Sequence, residues 1–169
     1  MPSDEPGAPF TDVGLLSPVT VSHDALVADD AVAAALVTAE VALERAWAGV
    51  GVAPDAVATA ASEEFGWSGG GTLVDADWLD TARLASAAVA GGNPVIPLIA
   101  RLDDRASIQV RPWLHRGATS QDILDSALML VSRRAGLHLL GVLQQVEAQL
   151  SGFAVVHRDT VAAARTLTQ

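Results

Sequence analysis

The chain has 169 residues, of which 50% are hydrophobic and 18% charged, so it is not intrinsically disordered and has room for one domain, or for one domain and part of another. Twenty acidic residues outnumber ten basic ones, all of them arginine, and the formal charge of −10 disfavours nucleic acid as a partner. The lack of cysteine excludes disulfides and thiolate zinc sites, while abundant alanine and only 4% aromatic residues predict an all-α fold.

The N-terminal region, residues 1–23, is acidic and rich in proline, which predicts an irregular lead-in without a signal peptide. The longest uncharged stretch, residues 84–100, is interrupted by two glycines and two prolines. Such a stretch does not predict one continuous helix across a bilayer. We therefore expect a soluble, cytoplasmic protein that does not contact a membrane.

Two helices are predicted in the first third of the chain. Apolar residues recur at helical spacing over residues 24–49, and Glu40 and Glu44 lie between them, as in an amphipathic helix with a polar face. A second helix is predicted from Pro54 to Glu64, because proline fits the first turn of a helix. The glycine run that follows predicts a flexible turn and not a phosphate-binding loop, since the chain has no lysine.

Two shorter helices and a connector come next. The third helix is predicted to be capped by Asp75 or Asp77 and to end at the glycine pair 91–92. A fourth, buried helix is predicted from Pro94 to Arg105. The segment Arg111-Pro112-Trp113 indicates a connector.

A long helix is predicted from Thr119 to about Leu150, with almost no polar face between Ala127 and Leu143. About 30 residues at 1.5 Å each give a helix of ~45 Å, which exceeds the ~30 Å expected for a compact domain of this size. We therefore expect this helix to be buried on nearly all sides by an oligomer or by a longer chain. One or two further helical turns are predicted from His157 onward.

The start of the long helix carries the strongest chemical signal. Unpaired amide groups, the helix dipole and the hydroxyls of Thr119 and Ser120 favour a bound carboxylate, and His115 could supply or hold a proton. The alternative is an ordinary N-cap by Thr119 or Ser120, with Asp122 complementing the helix dipole. Spacing alone leaves both interpretations open.

Three weaker candidates lie elsewhere. Arg165 and Thr166 could form a second carboxylate clamp with the hydroxyl of Thr168. Asn93 could bind substrate or could simply cap the helix that follows it. His157 could carry a proton or could be an exposed helix residue.

Four segments resemble, in order, the N-terminal part of the fumarase/aspartase superfamily. The pattern His-x-Gly-x-Thr-Ser-x-Asp is typical of that superfamily, while Gly-Asn-Pro-Val-Ile-Pro-Leu and Gln121 resemble its cycloisomerase branch. The segments are Ala42-Leu43-Glu44-Arg45-Ala46, Gly92-Asn93-Pro94-Val95-Ile96-Pro97-Leu98, His115-Arg116-Gly117-Ala118-Thr119-Ser120-Gln121-Asp122 and Arg165-Thr166-Leu167-Thr168-Gln169.

The resemblance implies a helical N-terminal domain, residues 1–118, followed by the start of a central long-helix bundle, residues 119–169. It also implies a homotetrameric enzyme without cofactor or metal, which closes a tricarboxylate diene into a lactone in the protocatechuate branch of aromatic degradation. The site residues that it implies are Asn93, Thr119, Ser120, Gln121, Arg165, Thr166 and Gln169 for the polycarboxylate substrate, with His115 or His157 as the proton carrier.

Departures from the superfamily pattern argue against some of the enzyme types within the superfamily. Leu167 and Asn93 stand where many superfamily lyases have histidine, which argues against adenylosuccinate and argininosuccinate lyases. The superfamily's mobile serine-rich loop would follow Gln169, so we expect an N-terminal fragment that is inactive alone. The alternatives are another superfamily lyase and a non-catalytic helical oligomerisation module.

Overall fold

The protein is described by a computed structural model that covers residues 24–164 and residue 167; the predicted lead-in, residues 1–23, lies outside this range. All regular structure in the described residues is helical, which confirms the all-α prediction. The helices are α1 (Asp29–Gly49), α2 (Asp55–Phe65), α3 (Thr81–Gly91), α4 (Val95–Arg105) and α5 (Ser120–Val156), with short 3-10 turns at Asp24–Leu26 and Arg111–Trp113.

The chain divides after Ser132 into two units. The first contains α1 to α4 and the beginning of α5, and the second contains the rest of α5 and the described tail. The predicted domain boundary after residue 118 stays a prediction. The first unit also holds all four tryptophans of the chain, which are Trp47, Trp67, Trp78 and Trp113.

Helix α1 forms the centre of the first unit. Ala35, Leu36 and Val37 are fully buried, and the small alanine side chains let the neighbouring elements approach closely. Other fully buried or nearly buried residues of the same core come from α2, α4, the connector and α5, namely Phe65, Leu98, Leu102, Val110, Ile123, Ala127 and Val131.

The predicted polar face of α1 is wrong at two positions. Glu40 and Glu44 are completely buried, because α1 is covered on the side where they lie as well as on its apolar sides. Alanine is compatible with burial and with exposure, so the sequence pattern of this helix did not reveal which face meets the core.

Proline and glycine mark the ends of the shorter helices, and Pro54 and Gly92 do so at the predicted positions. Pro54 is the N-cap of α2, and Gly66 ends that helix in a left-handed conformation with φ of 80°. Gly92, with φ of 63°, ends α3 in the same way. Helix α4 ends at Arg105, as expected, and buries Val95, Leu98 and Leu102.

The predicted cap of α3 is wrong. The cap is Asp80, whose Oδ1 accepts a hydrogen bond from the backbone N of Arg83 at 2.9 Å. Asp75 instead accepts from the backbone N of Asp77 at 3.2 Å, within a local turn that precedes the helix. The helix therefore begins about one turn later than the pattern of Trp78 and Leu79 indicated.

Helix α5 runs to Val156 and is longer than the predicted helix, which ended at about Leu150, and it is not buried on all sides in this chain. Only Ile123, Ala127 and Val131 are buried, and they form one stripe at four-residue spacing. In the second unit the described residues form just the helix and a short tail, so its apolar side chains have little to pack against. The exposed ones include Leu137, Leu139, Leu140, Leu143, Val146, Leu150 and Phe153.

Helix α5 also differs from the prediction at its C-terminal end. The helix stops at Val156, and residues 157–160 form a turn closed by a hydrogen bond from Thr160 N to His157 O at 3.0 Å, where further helical turns were expected. Among the residues that the structure describes, α5 is the one helix whose length and apolar composition would allow it to cross a membrane.

Candidate active site

The turn before α5 contains two residues in the left-handed conformation. His115 has φ of 51° and Gly117 has φ of 77°. Glycine adopts this conformation freely, whereas for histidine it costs on the order of 1–2 kcal/mol. Tertiary contacts must therefore hold His115 in place.

One such contact joins His115 to α1. A hydrogen bond of 2.8 Å links Nδ1 of His115 to Oε1 of Glu40, and the two residues are 75 positions apart in the chain. The Glu40 side chain is fully buried, while 24% of the His115 side chain is exposed. Glu40 engages Nδ1, so a proton exchanged with a bound molecule would pass through Nε2 of His115.

A second contact lies two helical turns further along α1. Trp47 Nε1 donates a hydrogen bond of 2.9 Å to the carbonyl oxygen of Arg116. A Cβ atom on Gly117 would lie 3.1 Å from Cζ2 of Trp47, so the absence of a side chain there permits the close approach. Glu40 and Trp47 together attach the turn of residues 115–117 to one face of α1.

Glu44 lies one turn from Glu40 on the same helix and is also fully buried. Neither of its carboxyl oxygens has a hydrogen-bond partner within the described part of the chain. Burial, together with the charges of Glu40 and Glu64, raises the pKa of Glu44 to about 9. Glu44 is therefore a neutral carboxylic acid at pH 7.

The pKa of Glu40 is also raised by burial, although the hydrogen bond and the charge of His115 oppose this increase. Glu64 differs from both residues, since its Oε2 accepts a hydrogen bond from the backbone N of Ser107 at 3.0 Å. Sequence analysis did not identify Glu40 as part of the site. The available signal was a pair of glutamates four residues apart in a helix that is rich in alanine and valine.

The first turn of α5 has the hydrogen bonds of a capping box. Thr119 Oγ1 accepts from the backbone N of Gln121 at 3.2 Å, and the Asp122 carboxylate accepts from the backbone N of Thr119 at 2.8 Å. The Gln121 side-chain amide donates to Asp125 at 2.6 Å. The N-cap interpretation thus describes the observed contacts, and substrate binding by Thr119, Ser120 and Gln121 stays a prediction.

The remaining predicted residues are not brought to this turn by any described contact. Asn93 Oδ1 accepts from the backbone N of Val95, the first residue of α4, at 2.8 Å, next to the N-cap residue Pro94. His157 lies in the second unit, is exposed, and has its Nδ1 3.3 Å from Thr160 Oγ1. Arg165, Thr166 and Gln169 lie outside the described residues.

A separate depression of about 380 Å³ in the first unit contains none of the predicted site residues. Its lining comprises Trp78, Leu79, Asp80, Arg83, Arg101, Asp104 and Arg105. In residues 24–164 and 167, no group of three or more histidine and acidic side chains is arranged to hold a metal ion.

Curated relatives match between 77% and 95% of the chain, although no protein-family model matches it. The nitrosuccinate lyase of Streptomyces davaonensis is 40% identical over 95% of this chain. The 3-carboxy-cis,cis-muconate cycloisomerases of Bradyrhizobium diazoefficiens and Pseudomonas aeruginosa are each 38% identical over 77% of it. The chain spans 33%, 28% and 27% of the lengths of these three relatives.

These relatives are fumarase/aspartase enzymes, and the chain matches their N-terminal part. The helical architecture of the described residues is consistent with that region. The chain therefore belongs to the fumarase/aspartase superfamily.

Proposed function

We propose that this chain forms part of the active site of a 3-carboxy-cis,cis-muconate cycloisomerase. The observation that carries the proposal is the contact between His115 and the buried Glu40, four residues before the capped start of α5. It combines a partly exposed proton carrier with a helix N-terminus that favours negative charge. Relatives with this name at 34–38% identity support the proposal.

In the proposed reaction, a carboxylate oxygen of the substrate attacks a carbon of a C=C bond and forms the lactone C–O bond. The electron pair of the C=C bond moves to the neighbouring carbon, which lies next to a second carboxylate. Negative charge develops on that carboxylate until the carbon takes a proton from Nε2 of His115, which regains its proton from water. The amide groups at the start of α5, with Thr119 and Ser120, would stabilise this charge.

Nitrosuccinate lyase is a second candidate, and the 40% identity over 95% of the chain supports it. Such a reaction would run as an elimination: a base removes a proton from a carbon next to a carboxylate, a C=C bond forms, and nitrite leaves as the C–N bond breaks. The same two elements would be used, because His115 would act as the base and the helix start would again stabilise the charged carboxylate.

We extend the proposal to a homotetrameric, cytoplasmic enzyme that acts on a small polycarboxylate without a cofactor. The exposed apolar residues of α5 beyond Ser132 support assembly with further protein, since a surface of this kind is rarely left in water. The bacterial metabolic relatives support the location.

The proposal is tested by comparing the product of the complete reading frame with the 169-residue chain. Both are assayed for loss of the ultraviolet absorbance of 3-carboxymuconate and for release of nitrite from nitrosuccinate. We expect turnover of 3-carboxymuconate by the complete protein and none by the 169 residues alone. Preference for nitrosuccinate would select the second candidate, and no turnover of either compound would favour a non-catalytic oligomerisation module.

The assignment of the proton carrier is tested in the complete protein. We expect His115→Ala to lower kcat by about 100-fold or more, because it removes the acid–base group. His157→Ala is the matched comparison and should retain kcat within about threefold, the range expected for an exposed residue outside the reaction. The reverse pattern would move the proton-transfer role to His157.

A further inference from the structure

We infer that Glu40 is a positioning residue that keeps the proton of neutral His115 on Nδ1 and so leaves Nε2 as the nitrogen that works on the substrate. The catalytic consequence rests on the proposed function. The position of the proton on the imidazole does not depend on the proposed function, because it follows from contacts within this chain.

Glu40 is enclosed by the core of the first unit. Its side chain is completely buried in the middle of α1, between turns that contain the buried residues Leu36 and Val41. Oε1 lies 2.8 Å from Nδ1 of His115, and Oε2 has no hydrogen-bond partner in the part of the chain that the structure describes. An ionised Glu40 is therefore stabilised mainly by a proton on Nδ1 of His115.

The neutral imidazole of histidine has two tautomers, with the proton on Nδ1 or on Nε2. A free neutral imidazole favours the proton on Nε2, which would place the lone pair of Nδ1 against the Glu40 carboxylate. Two acceptors facing each other in a buried position are unfavourable, so the contact requires a proton between them. With that proton on Nδ1, the lone pair of Nε2 is available to accept a proton and, once protonated, to donate it.

The charges around Glu40 are compatible with its ionisation. His115, from the turn before α5, lowers the pKa of Glu40, while the charges of Glu40 and of Glu64 from α2 raise the pKa of Glu44, one turn away on α1. Because Glu44 is neutral at pH 7, the two buried glutamates need not carry two adjacent charges. Glu40 can then be the ionised member of the pair and accept the hydrogen bond from Nδ1 of His115.

The backbone supports the same assignment. His115 adopts a left-handed conformation with φ of 51°, and the next two residues are attached to Trp47 of α1. The contact with Glu40 holds the imidazole ring, and the contact with Trp47 holds the backbone that follows it. Together they keep His115 in an unfavourable backbone conformation. An orientation maintained in this way is expected where geometry matters for function.

The experiment measures the tautomer of His115 by nitrogen NMR on the 169-residue chain with labelled histidine, at about pH 8 where an ordinary histidine is neutral. His115→Gln identifies the His115 signals. We expect Nδ1 of His115 to carry the proton in the wild type and Nε2 to carry most of it in Glu40→Leu. Leucine is chosen because it has a similar volume and offers no hydrogen-bond acceptor to Nδ1, and the imidazole that loses its partner is partly exposed.

Glu44→Leu is the matched control, since Glu44 is equally buried on the same helix but does not contact His115. It should leave the proton on Nδ1. A wild-type spectrum with the proton on Nε2 would overturn the inference, and that result does not depend on whether Glu40→Leu folds. A change of tautomer in Glu44→Leu that equals the change in Glu40→Leu would also overturn it.

The catalytic consequence is measured in the complete protein. Glu40→Leu should lower kcat by about tenfold or more with little change in KM, because the imidazolium that donates its proton from Nε2 loses the carboxylate that stabilises it through Nδ1. If the tautomer follows the expectation but neither proposed substrate is turned over, the proposed function fails and the positioning by Glu40 stands. If turnover is present and unaffected by Glu40→Leu, the positioning role fails and the proposed function stands.

Discussion

Helices α1 and α5 are both rich in apolar residues, yet they differ in burial. Leu36 of α1 is 1% exposed, whereas Leu140 of α5 is 51% exposed. Helix α1 is enclosed by the other elements of the first unit, while α5 contributes one stripe of three residues to that core. An apolar surface on all sides of a helix therefore predicts that it needs partners, and it does not predict that the same chain provides them.

Each of the two helices also contains residues that depart from the usual rule that polar side chains are exposed and apolar ones are buried. Helix α1 buries Glu40 and Glu44, although burial opposes the charge of a carboxylate. Helix α5 exposes leucines beyond Ser132. Polar groups placed against the hydrophobic pattern are expected at functional sites, and the contact of Glu40 with His115 agrees with that expectation.

The largest expected effect tests the difference in burial directly. Leu36→Ala should lower the free energy of unfolding by about 2–5 kcal/mol, because it leaves a cavity in the core. Leu140→Ala should change it by about 0.5 kcal/mol or less in the 169-residue chain, since that side chain is exposed. Urea denaturation measures both values. Equal losses would mean that α5 is packed in solution as tightly as α1.

The next effect tests the buried acid of α1. Glu44 has a pKa of about 9 in the folded chain and an ordinary value of 4.5 when unfolded, so the folded chain retains a proton that the unfolded chain releases. Stability should therefore be greatest below about pH 4.5 and should fall as the pH rises toward 9, with a loss of about 3 kcal/mol from this group at pH 7.

Glu44→Gln removes that loss because glutamine cannot ionise. The variant and the wild type should have similar stability near pH 5, and the variant should be the more stable at pH 8; thermal unfolding at both pH values measures this. A wild type that is the more stable at pH 8 would mean that Glu44 is ionised and paired when folded. The smaller dependence caused by the raised pKa of Glu40 should remain in the variant.

A smaller effect tests the attachment of the turn of residues 115–117 to α1. Gly117→Ala should cost about 2–3 kcal/mol, because alanine is unfavourable at φ of 77° and its Cβ would meet Trp47. Gly71→Ala is the control, with φ of 76° and open space around the glycine, and it should cost about 1 kcal/mol. Identical losses would show that the contact with Trp47 does not constrain the turn.

The smallest effect compares the helix starts. Helix α5 has the Thr119 and Asp122 cap, whereas the N-cap of α1 is Ala28, which provides no side-chain hydrogen bond. Ala28→Ser should raise the free energy of unfolding by about 1 kcal/mol, and Asp122→Ala should lower it by a similar amount. Thermal denaturation measures both changes. No gain from Ala28→Ser would mean that packing alone determines where α1 begins.

The sequence predicted those parts of the fold that depend on local conformation. Proline and glycine restrict the backbone within one or two residues, so Pro54, Gly92 and the end of α4 were located correctly. The cap of α3 was misplaced because three aspartates, at positions 75, 77 and 80, can each form local hydrogen bonds. The spacing in the sequence does not show which of these three aspartates caps the helix.

The candidate site was only half visible in the sequence. His115, Thr119, Ser120 and Gln121 were found because they are neighbours in the chain and form one recognisable pattern. Glu40 was not found because it is 75 residues from His115 in the sequence. It also lies in a helix whose many alanines do not indicate which side faces the core. A contact between distant segments depends on packing, which local patterns do not encode.

The placement of the four tryptophans has a practical consequence for spectroscopy. They lie between residues 47 and 113, so intrinsic tryptophan fluorescence reports on the first unit. It does not report on the second unit, which contains no tryptophan. Circular dichroism at helical wavelengths, in contrast, includes the whole of α5. If the distal part of α5 unwinds before the rest, dichroism will decrease at a lower denaturant concentration than fluorescence changes. The two optical signals would then separate the melting of one helix segment from the melting of the core without any label or substitution.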